Sequence, residues 1–131
     1  IVGVHDGVRP LITPALVSRL YSLAGEQDGV VPVTPCIETL KVLSEKDGVL
    51  ETVPGASADR SVLFGAQTPQ VFRSEVLKDA YRQAYDTSFT DDASVVEKNG
   101  KSLSYVIGER LNIKITTQED LLLARAVDSL R

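Results

Sequence analysis

Hydrophobic and polar positions along the chain form blocks that predict strands followed by helices. Residues 1–4 are short, apolar and β-branched, which is typical of a strand buried on both faces of a parallel sheet. Thr13-Pro14 predicts the start of a helix, because a capping threonine precedes the residue that favours the first helical turn. Apolar side chains then recur at helical spacing as far as Gly25, a typical C-cap. Together these residues predict a first β/α unit.

The middle of the chain predicts a β-hairpin. Residues 37–43 and 49–53 are strand-like, and Asp47-Gly48 between them is a strong hairpin turn signal. The hairpin is more polar than the strands around it, so we expect it to project from the domain as an arm over roughly residues 34–59. Such an arm generally needs a partner surface.

The remaining blocks continue the alternation of strands and helices. Pro32 is expected near the end of a strand or at a sheet edge, because proline cannot donate to the ladder. Thr117 and the acids that follow it predict the cap of the last helix. The alternation predicts an α/β sandwich with a mostly parallel sheet. The further strands are expected over residues 30–33, 61–66, 103–107 and 111–116, and the further helices over residues 74–85, 90–100 and from 117 onward.

Composition and charge narrow the class of protein. The chain has 131 residues, which is about one domain, and its net charge of −4 argues against a nucleic-acid partner. No apolar run approaches the roughly 18 residues that a membrane span needs, so no membrane partner is predicted. Cys36 is the single cysteine, which fits a reducing compartment and predicts a cytoplasmic protein. Because methionine is absent and the first residues are strand-like, we expect the C-terminal part of a longer protein.

Asp6 and Arg9 are the first candidate site residues. Ligands of open α/β sheets bind beyond the carboxyl ends of the strands, where Asp6 follows the first predicted strand. A carboxylate there can hold a metal ion or accept from a sugar hydroxyl, and Arg9 offers paired donors to a phosphate. The alternative is structural, with Asp6 capping the turn and Arg9 pairing with it.

Other candidates also have structural alternatives. Lys114 falls on the polar face of its predicted strand, where either an anionic ligand or a wet edge strand explains it. Arg60 could reach a phosphate or be a solvated loop residue. Residues 90–92 resemble a metal-ligand cluster, but capping of a helix N-terminus is the favoured interpretation. His5 is expected to be a packed or hydrogen-bonded imidazole rather than a base. The residues alone therefore predict an anion-binding α/β domain.

Five motifs in order resemble a known family. They are VHDGVRP, IETLK, ADR with QTPQVF, FTDDASVVE and GERLNIKITTQEDL. The chain is similar over nearly its whole length to the C-terminal half of the 2-C-methyl-D-erythritol 4-phosphate cytidylyltransferase family. The resemblance implies the C-terminal portion of a Rossmann-like, three-layer α/β/α sandwich of the nucleotide-diphospho-sugar-transferase type. It also implies Mg²⁺-dependent cytidylyl transfer from CTP to methylerythritol phosphate, with release of pyrophosphate, in non-mevalonate isoprenoid synthesis.

The resemblance further implies roles for individual residues. Asp6 and Arg9 would lie at the junction of CTP and methylerythritol phosphate, with Asp6 close to the metal. Thr39 and Arg60 would flank the arm, which in this family reaches across a homodimer to help bind the partner's substrate. Arg60 and Lys114 would hold the acceptor phosphate. The family's N-terminal half would supply a glycine-rich triphosphate loop and further cations, so we expect the isolated chain to be inactive.

Two other functions remain open at this point. Ribitol-5-phosphate cytidylyltransferase shares the HD-x-x-RP, TPQ and NIKIT-like motifs, although ADR and TDDAS fit the methylerythritol enzyme better. A non-catalytic dimerisation module, in which the arm is the whole function, would leave Asp6, Arg9, Arg60 and Lys114 without an explanation.

Overall fold

The structure, a computed structural model, describes residues 1–131 and contains a five-stranded sheet with helices on both faces. A separate two-stranded sheet forms the hairpin of the arm. No helix has both the length and the apolar character needed to cross a bilayer. In chain order the elements are β1 (Val2–Val4), α1 (Pro14–Ala24), β2 (Gly29–Pro35), β3 (Leu43–Lys46), β4 (Val49–Thr52), β5 (Phe64–Ala66), β6 (Gln70–Phe72), α2 (Ser74–Ala80), α3 (Asp92–Lys98), β7 (Ser104–Ile107) and α4 (Gln118–Ser129).

Strand β2 is the centre of the main sheet. It pairs in parallel with β7, and on its other edge it pairs antiparallel with β6 and then with β5. Strand β1 pairs antiparallel with β6. The prediction of a mostly parallel sheet is therefore wrong. The chain turns back through the arm, so β5 and β6 follow one another along the same edge of β2 and both run antiparallel to it. A short return joins antiparallel neighbours, whereas parallel neighbours need a long crossover.

The two faces of β2 and β6 are buried under different helices. Val30 packs against α1, whereas the next residue, Val31, packs against α3 on the opposite face. Successive side chains of a strand point to opposite faces, so the apolar run buries both. This arrangement confirms the predicted three-layer α/β/α sandwich. The core residues under α1 are Leu16, Leu20, Ala24, Val30 and Val71, and those under α2 and α3 are Val31, Val33, Phe72, Val76, Ala80, Ala93, Val95 and Val96.

Three of the predicted helix starts are confirmed by their caps. Thr13 Oγ1 accepts from Leu16 N at 3.2 Å, and both α3 and α4 begin with capping boxes at Asp91 and Thr117. Helix α2 ends earlier than predicted, at Ala80. The Gln83 amide donates to Ala80 O at 2.8 Å, which occupies the carbonyl that a further helical turn would use.

Two strand predictions need correction. Within this chain, strand β1 is not buried on both faces, since it pairs with β6 alone and Gly3 and Val4 are exposed. Pro32 is not at a strand end or an edge, because it lies fully buried in the middle of β2. It falls between the β6 and β5 pairings, and its carbonyl accepts from Gln67 N at 2.8 Å, so the ladder needs no donor there.

Three further segments differ from the prediction. Residues 111–116 form no strand at all. Only Phe64–Ala66 of the segment 61–66 is strand, and it follows a 3₁₀ turn at Arg60–Val62. Strand β6 was not predicted, because the turn signal Thr-Pro-Gln directly before it pointed to a loop.

The hairpin forms with a shifted first strand. Its turn is Asp47-Gly48, with φ of 50° and 79°, which a two-residue hairpin turn of this hand requires. The pairing of Lys46 with Val49 places β3 at Leu43–Lys46, so the prediction of a strand over 37–43 is wrong. Every residue of β3 and β4 is exposed.

Candidate substrate cleft

A polar cleft of about 390 Å³ opens beyond the end of β1. It brings together Asp6, Arg9 and Lys114, which the sequence suggested separately. A larger apolar groove of about 660 Å³ lies elsewhere and has no charged residue, so it is unsuited to a phosphate. The residues that line the polar cleft are Val4, Asp6, Arg9, Ala66, Thr68, Gln70, Thr90, Asp91, Asp92 and Lys114.

One carboxylate oxygen in the cleft faces two cations. Arg9 Nε lies 3.0 Å from Asp6 Oδ2, and Lys114 Nζ lies 3.7 Å from the same oxygen. Burial raises the pKa of Asp6, but the Arg9 hydrogen bond and the charges of Lys114 and Arg9 outweigh it and hold that pKa below its usual value. The pairing of Asp6 with Arg9 is confirmed. Lys114 adds a second cation on a half-exposed side chain, whose ammonium can donate to an anionic ligand.

The turn after β1 fixes Asp6 and Arg9. The Asp6 N–H donates to Thr68 Oγ1 at 2.8 Å, and Arg9 N donates to Asp6 O at 3.1 Å. His5 lies 2.9 Å from Thr68 Oγ1 through Nδ1 and 3.0 Å from Arg9 O through Nε2. His5 is thus the hydrogen-bonded imidazole that the sequence predicted.

The opposite wall of the cleft is the start of α3. Asp91 Oδ1 accepts from Ser94 N at 2.8 Å, and Asp91 Oδ2 accepts from Gln70 Nε2 at 2.9 Å. Tyr81 donates to Asp92 Oδ1 at 2.5 Å, and this hydrogen bond raises the pKa of Tyr81 to about 12. Both carboxylates are therefore occupied by hydrogen bonds. Asp91 caps α3, as the capping interpretation of residues 90–92 predicted, whereas Asp92 binds Tyr81 instead.

Thr39 and Arg60 do not line this cleft. Both are exposed at the base of the arm, where Arg60 Nη1 donates to Ile37 O at 3.1 Å. Within one chain, Arg60 and Lys114 therefore do not form one phosphate site. That Arg60 and Lys114 hold the same phosphate stays a prediction, in which the two residues come from different chains.

The cleft residues fit Mg²⁺ only as a partial site. The chain gathers no three His, Cys, Asp or Glu side chains into a metal cluster. Mg²⁺ in nucleotide sites is held by one or two carboxylates, by phosphate oxygens and by water. Asp6 can supply one such carboxylate, and a bound triphosphate would have to supply the other oxygen ligands.

Sequence reasoning missed Thr68 and Gln70 as lining residues, and it missed Gln67 and Asn112 behind them. Asn112 is fully buried, although the alternating pattern placed it on the same polar face as Lys114. The Thr-Pro-Gln motif predicted a turn, and this turn brings residues 68 and 70 to the cleft.

The fold and the cleft define an α/β sandwich with a polar cleft at a strand end, the usual place for a ligand of such a sheet. The model of the family described as 2-C-methyl-D-erythritol 4-phosphate cytidylyltransferase matches residues 1–129. The chain belongs to this family.

Individual relatives agree with this assignment. The chain is 46% identical over 127 residues to the 2-C-methyl-D-erythritol 4-phosphate cytidylyltransferase of Bacteroides thetaiotaomicron, covering 97% of this chain and 55% of that protein. It is 43% identical to the protein of that name from Phocaeicola vulgatus, with the same coverage. The crystal structure of the Thermus thermophilus protein aligns with a TM-score of 0.83 at 31% identity, covering 97% of this chain and 61% of that one. The chain spans about half the length of the curated relatives it matches.

Proposed function

We propose that the protein containing this chain transfers the cytidylyl group of CTP to 2-C-methyl-D-erythritol 4-phosphate in isoprenoid precursor synthesis. The observation that carries the proposal is the meeting of Asp6, Arg9 and Lys114 in one cleft. They belong to the two ends of a chain whose family is named for this reaction. Arg9 and Lys114 are the two cations that line the cleft, and guanidinium and ammonium groups are the side chains that bind phosphate.

The reaction is a displacement at phosphorus. An oxygen of the acceptor phosphate attacks the α-phosphorus of CTP, the bond from that phosphorus to the bridging oxygen breaks, and pyrophosphate leaves. Catalysis of this kind depends on positioning and on countering charge. Lys114 and Arg9 hold the acceptor phosphate, while Asp6 keeps both cations in place. Mg²⁺ bound with CTP would neutralise the triphosphate, with Asp6 as its candidate protein ligand.

The second part of the proposal is a homodimer formed through the arm. Thr39 and Arg60 are exposed and lie outside their own chain's cleft. The arm also presents apolar side chains that stay exposed within the chain, including Leu43 at 43% and Leu50 at 64%. We propose that the partner's arm brings Thr39 and Arg60 to the acceptor.

The isolated chain would transfer almost nothing, because it contains no glycine-rich loop for the triphosphate. We also propose a cytoplasmic location, which the single cysteine, Cys36, supports.

The test is pyrophosphate release by the full-length protein with CTP, Mg²⁺ and either methylerythritol phosphate or ribitol 5-phosphate. We expect turnover with methylerythritol phosphate. A double variant, Arg9→Ala with Lys114→Ala, prepared in the same way excludes a contaminating host enzyme. Turnover with ribitol phosphate alone would show that ribitol 5-phosphate, and not methylerythritol phosphate, is the acceptor. No turnover with either acceptor would favour the dimerisation module.

A further inference from the structure

The segment that carries Lys114 is not held by the sheet. Residues 111–116 form no strand, and a backbone hydrogen bond of 2.9 Å from Ile115 N to Val8 O joins them to the loop after β1. A lysine on such a backbone needs a further anchor if its ammonium is to stay 3.7 Å from Asp6 Oδ2.

Two buried side-chain amides provide this anchor. Gln67 Nε2 donates to Glu109 O at 2.8 Å, and Gln67 Oε1 accepts from Glu109 N at 3.2 Å. Asn112 Nδ2 donates to Thr68 O at 2.8 Å and lies 3.4 Å from Gln67 Oε1. Asn112 is fully buried, and Gln67 is 6% exposed. The two amides therefore join the β5–β6 connection to the segment before Lys114.

The two segments that the amide pair joins, one at Thr68 and the other at Asn112, both contact residues of the cleft. Thr68 accepts the Asp6 backbone N–H at its hydroxyl, 2.8 Å away. Asn112 O accepts from Arg9 Nη1 at 2.7 Å, and Lys114 follows Asn112 by two residues. A shift of the amide pair would therefore move the lysine relative to Asp6.

The orientation of the Asn112 amide favours this role over simple filling of the core. Its Oδ1 is buried without a hydrogen-bond partner. An unpaired buried acceptor is costly, and an apolar side chain of similar size would avoid the cost. An apolar side chain would lose the donor that Asn112 directs at Thr68 O, and this donor joins the two segments.

We propose that Gln67 and Asn112 are positioning residues, a buried amide pair that holds Lys114 in place to bind the acceptor's phosphate. The inference rests on the proposed function for its substrate.

The kinetic test uses Gln67→Leu and the riskier Asn112→Ala in the full-length protein. We expect kcat/KM for the acceptor to fall about 10- to 100-fold, because a small misplacement of a binding group lowers the rate by that much. KM for CTP should change less than about twofold. The matched control is Gln83→Leu. Gln83 also joins two backbone segments, with Nε2 2.8 Å from both Ala80 O and Val95 O, but it lies outside the cleft. If Gln67→Leu and Gln83→Leu have equal effects, the role is merely structural.

A double-mutant cycle separates positioning from general destabilisation. If Gln67 acts through Lys114, Gln67→Leu in a Lys114→Ala background should reduce acceptor kcat/KM by less than about threefold. Losses that multiply as independent effects would overturn the proposal.

A third measurement needs no turnover. Hydrogen exchange at the Ile115 amide should be about tenfold faster or more in Gln67→Leu, because the segment opens locally more often. It should be unchanged in Lys114→Ala and in Gln83→Leu. Unchanged exchange in Gln67→Leu contradicts the positioning role. An inactive wild type would contradict the proposed function. The exchange result would then still show whether the amide pair holds the Lys114 segment in place.

Discussion

Charged side chains in the cleft form ion pairs within the chain, whereas the apolar side chains of the arm are left exposed by it. Asp6, Arg9 and Lys114 form ion pairs above a buried amide network. In the arm, by contrast, Leu50 is 64% exposed and Val49 is 56% exposed. The cleft is already organised in one chain, while the arm exposes apolar side chains of the kind that mark interaction sites.

The largest expected effect is in the cleft. Lys114→Ala should lower kcat/KM for the acceptor by about 10- to 100-fold, because hydrogen bonds to charged groups contribute about 1.5–3 kcal/mol. KM for CTP should change far less. The measurement is steady-state kinetics on the full-length protein, with Lys101→Ala as an exposed cation outside the cleft. Equal changes in KM for both substrates would remove Lys114 from the acceptor site.

The next effect is in the arm. Leu50→Asp should weaken the dimer by about tenfold or more, since burying an unpaired charge at an interface costs at least as much as losing an apolar anchor. Sedimentation equilibrium gives the dissociation constant. Ser44→Asp adds the same charge on the opposite face of the hairpin, because Ser44 pairs with Glu51, one position away from the Leu50 pair. An unchanged dimer in Leu50→Asp would mean that this face of the arm does not contact a partner.

A smaller effect is local to the turn of the arm. Gly48→Ala should destabilise the hairpin by about 1–2 kcal/mol, because φ at this residue is 79° and a Cβ is strained there. Hydrogen exchange of the β3 and β4 amides should speed up, while the amides of β2 keep their protection. A matching loss of protection in β2 would show that the arm and the sheet unfold as one unit.

The smallest effect is the pH dependence of the Asp6 ion pairs. Because the pKa of Asp6 is lowered in the folded protein, its charge stabilises the fold above the unfolded-state pKa. That contribution is lost as the pH falls through the lower, folded-state value. The difference in Tm between wild type and Asp6→Asn should therefore be largest near neutral pH and shrink below about pH 4. The exposed Asp128→Asn serves as a control, and a difference that grows on acidification would contradict the assignment.

Local signals predicted the helices better than the sheet. The caps at Thr13, Asp91 and Thr117 are short-range hydrogen bonds, so the sequence around each one is enough to predict it. The order and direction of the strands depend on partners far along the chain. Pro32 is an example. A proline, which has no N–H to donate, fits in this central strand because it lies between the pairings with β6 and β5, and its own neighbours in sequence do not indicate that.

The candidate site was predictable in part for the same reason. Asp6 and Arg9 are three residues apart, and a single motif links them. Lys114 was suggested by alternation that predicted a strand, but Asn112 turns inward there and binds the Thr68 carbonyl. A buried amide that binds backbone across the fold leaves no periodic signal, so Gln67 and Asn112 could not be identified without the structure.

The strand order also has a consequence for synthesis on the ribosome. Within this chain β1 pairs with β6 alone, with Val2 opposite Phe72, whereas β2 pairs with β5, β6 and β7. At elongation rates of about 5–20 residues per second, β1 leaves the peptidyl-transferase centre roughly 3–14 seconds before β6 is made. During that interval β1 lacks the partner that this chain provides for it. It is therefore a segment that we expect a ribosome-associated chaperone to protect.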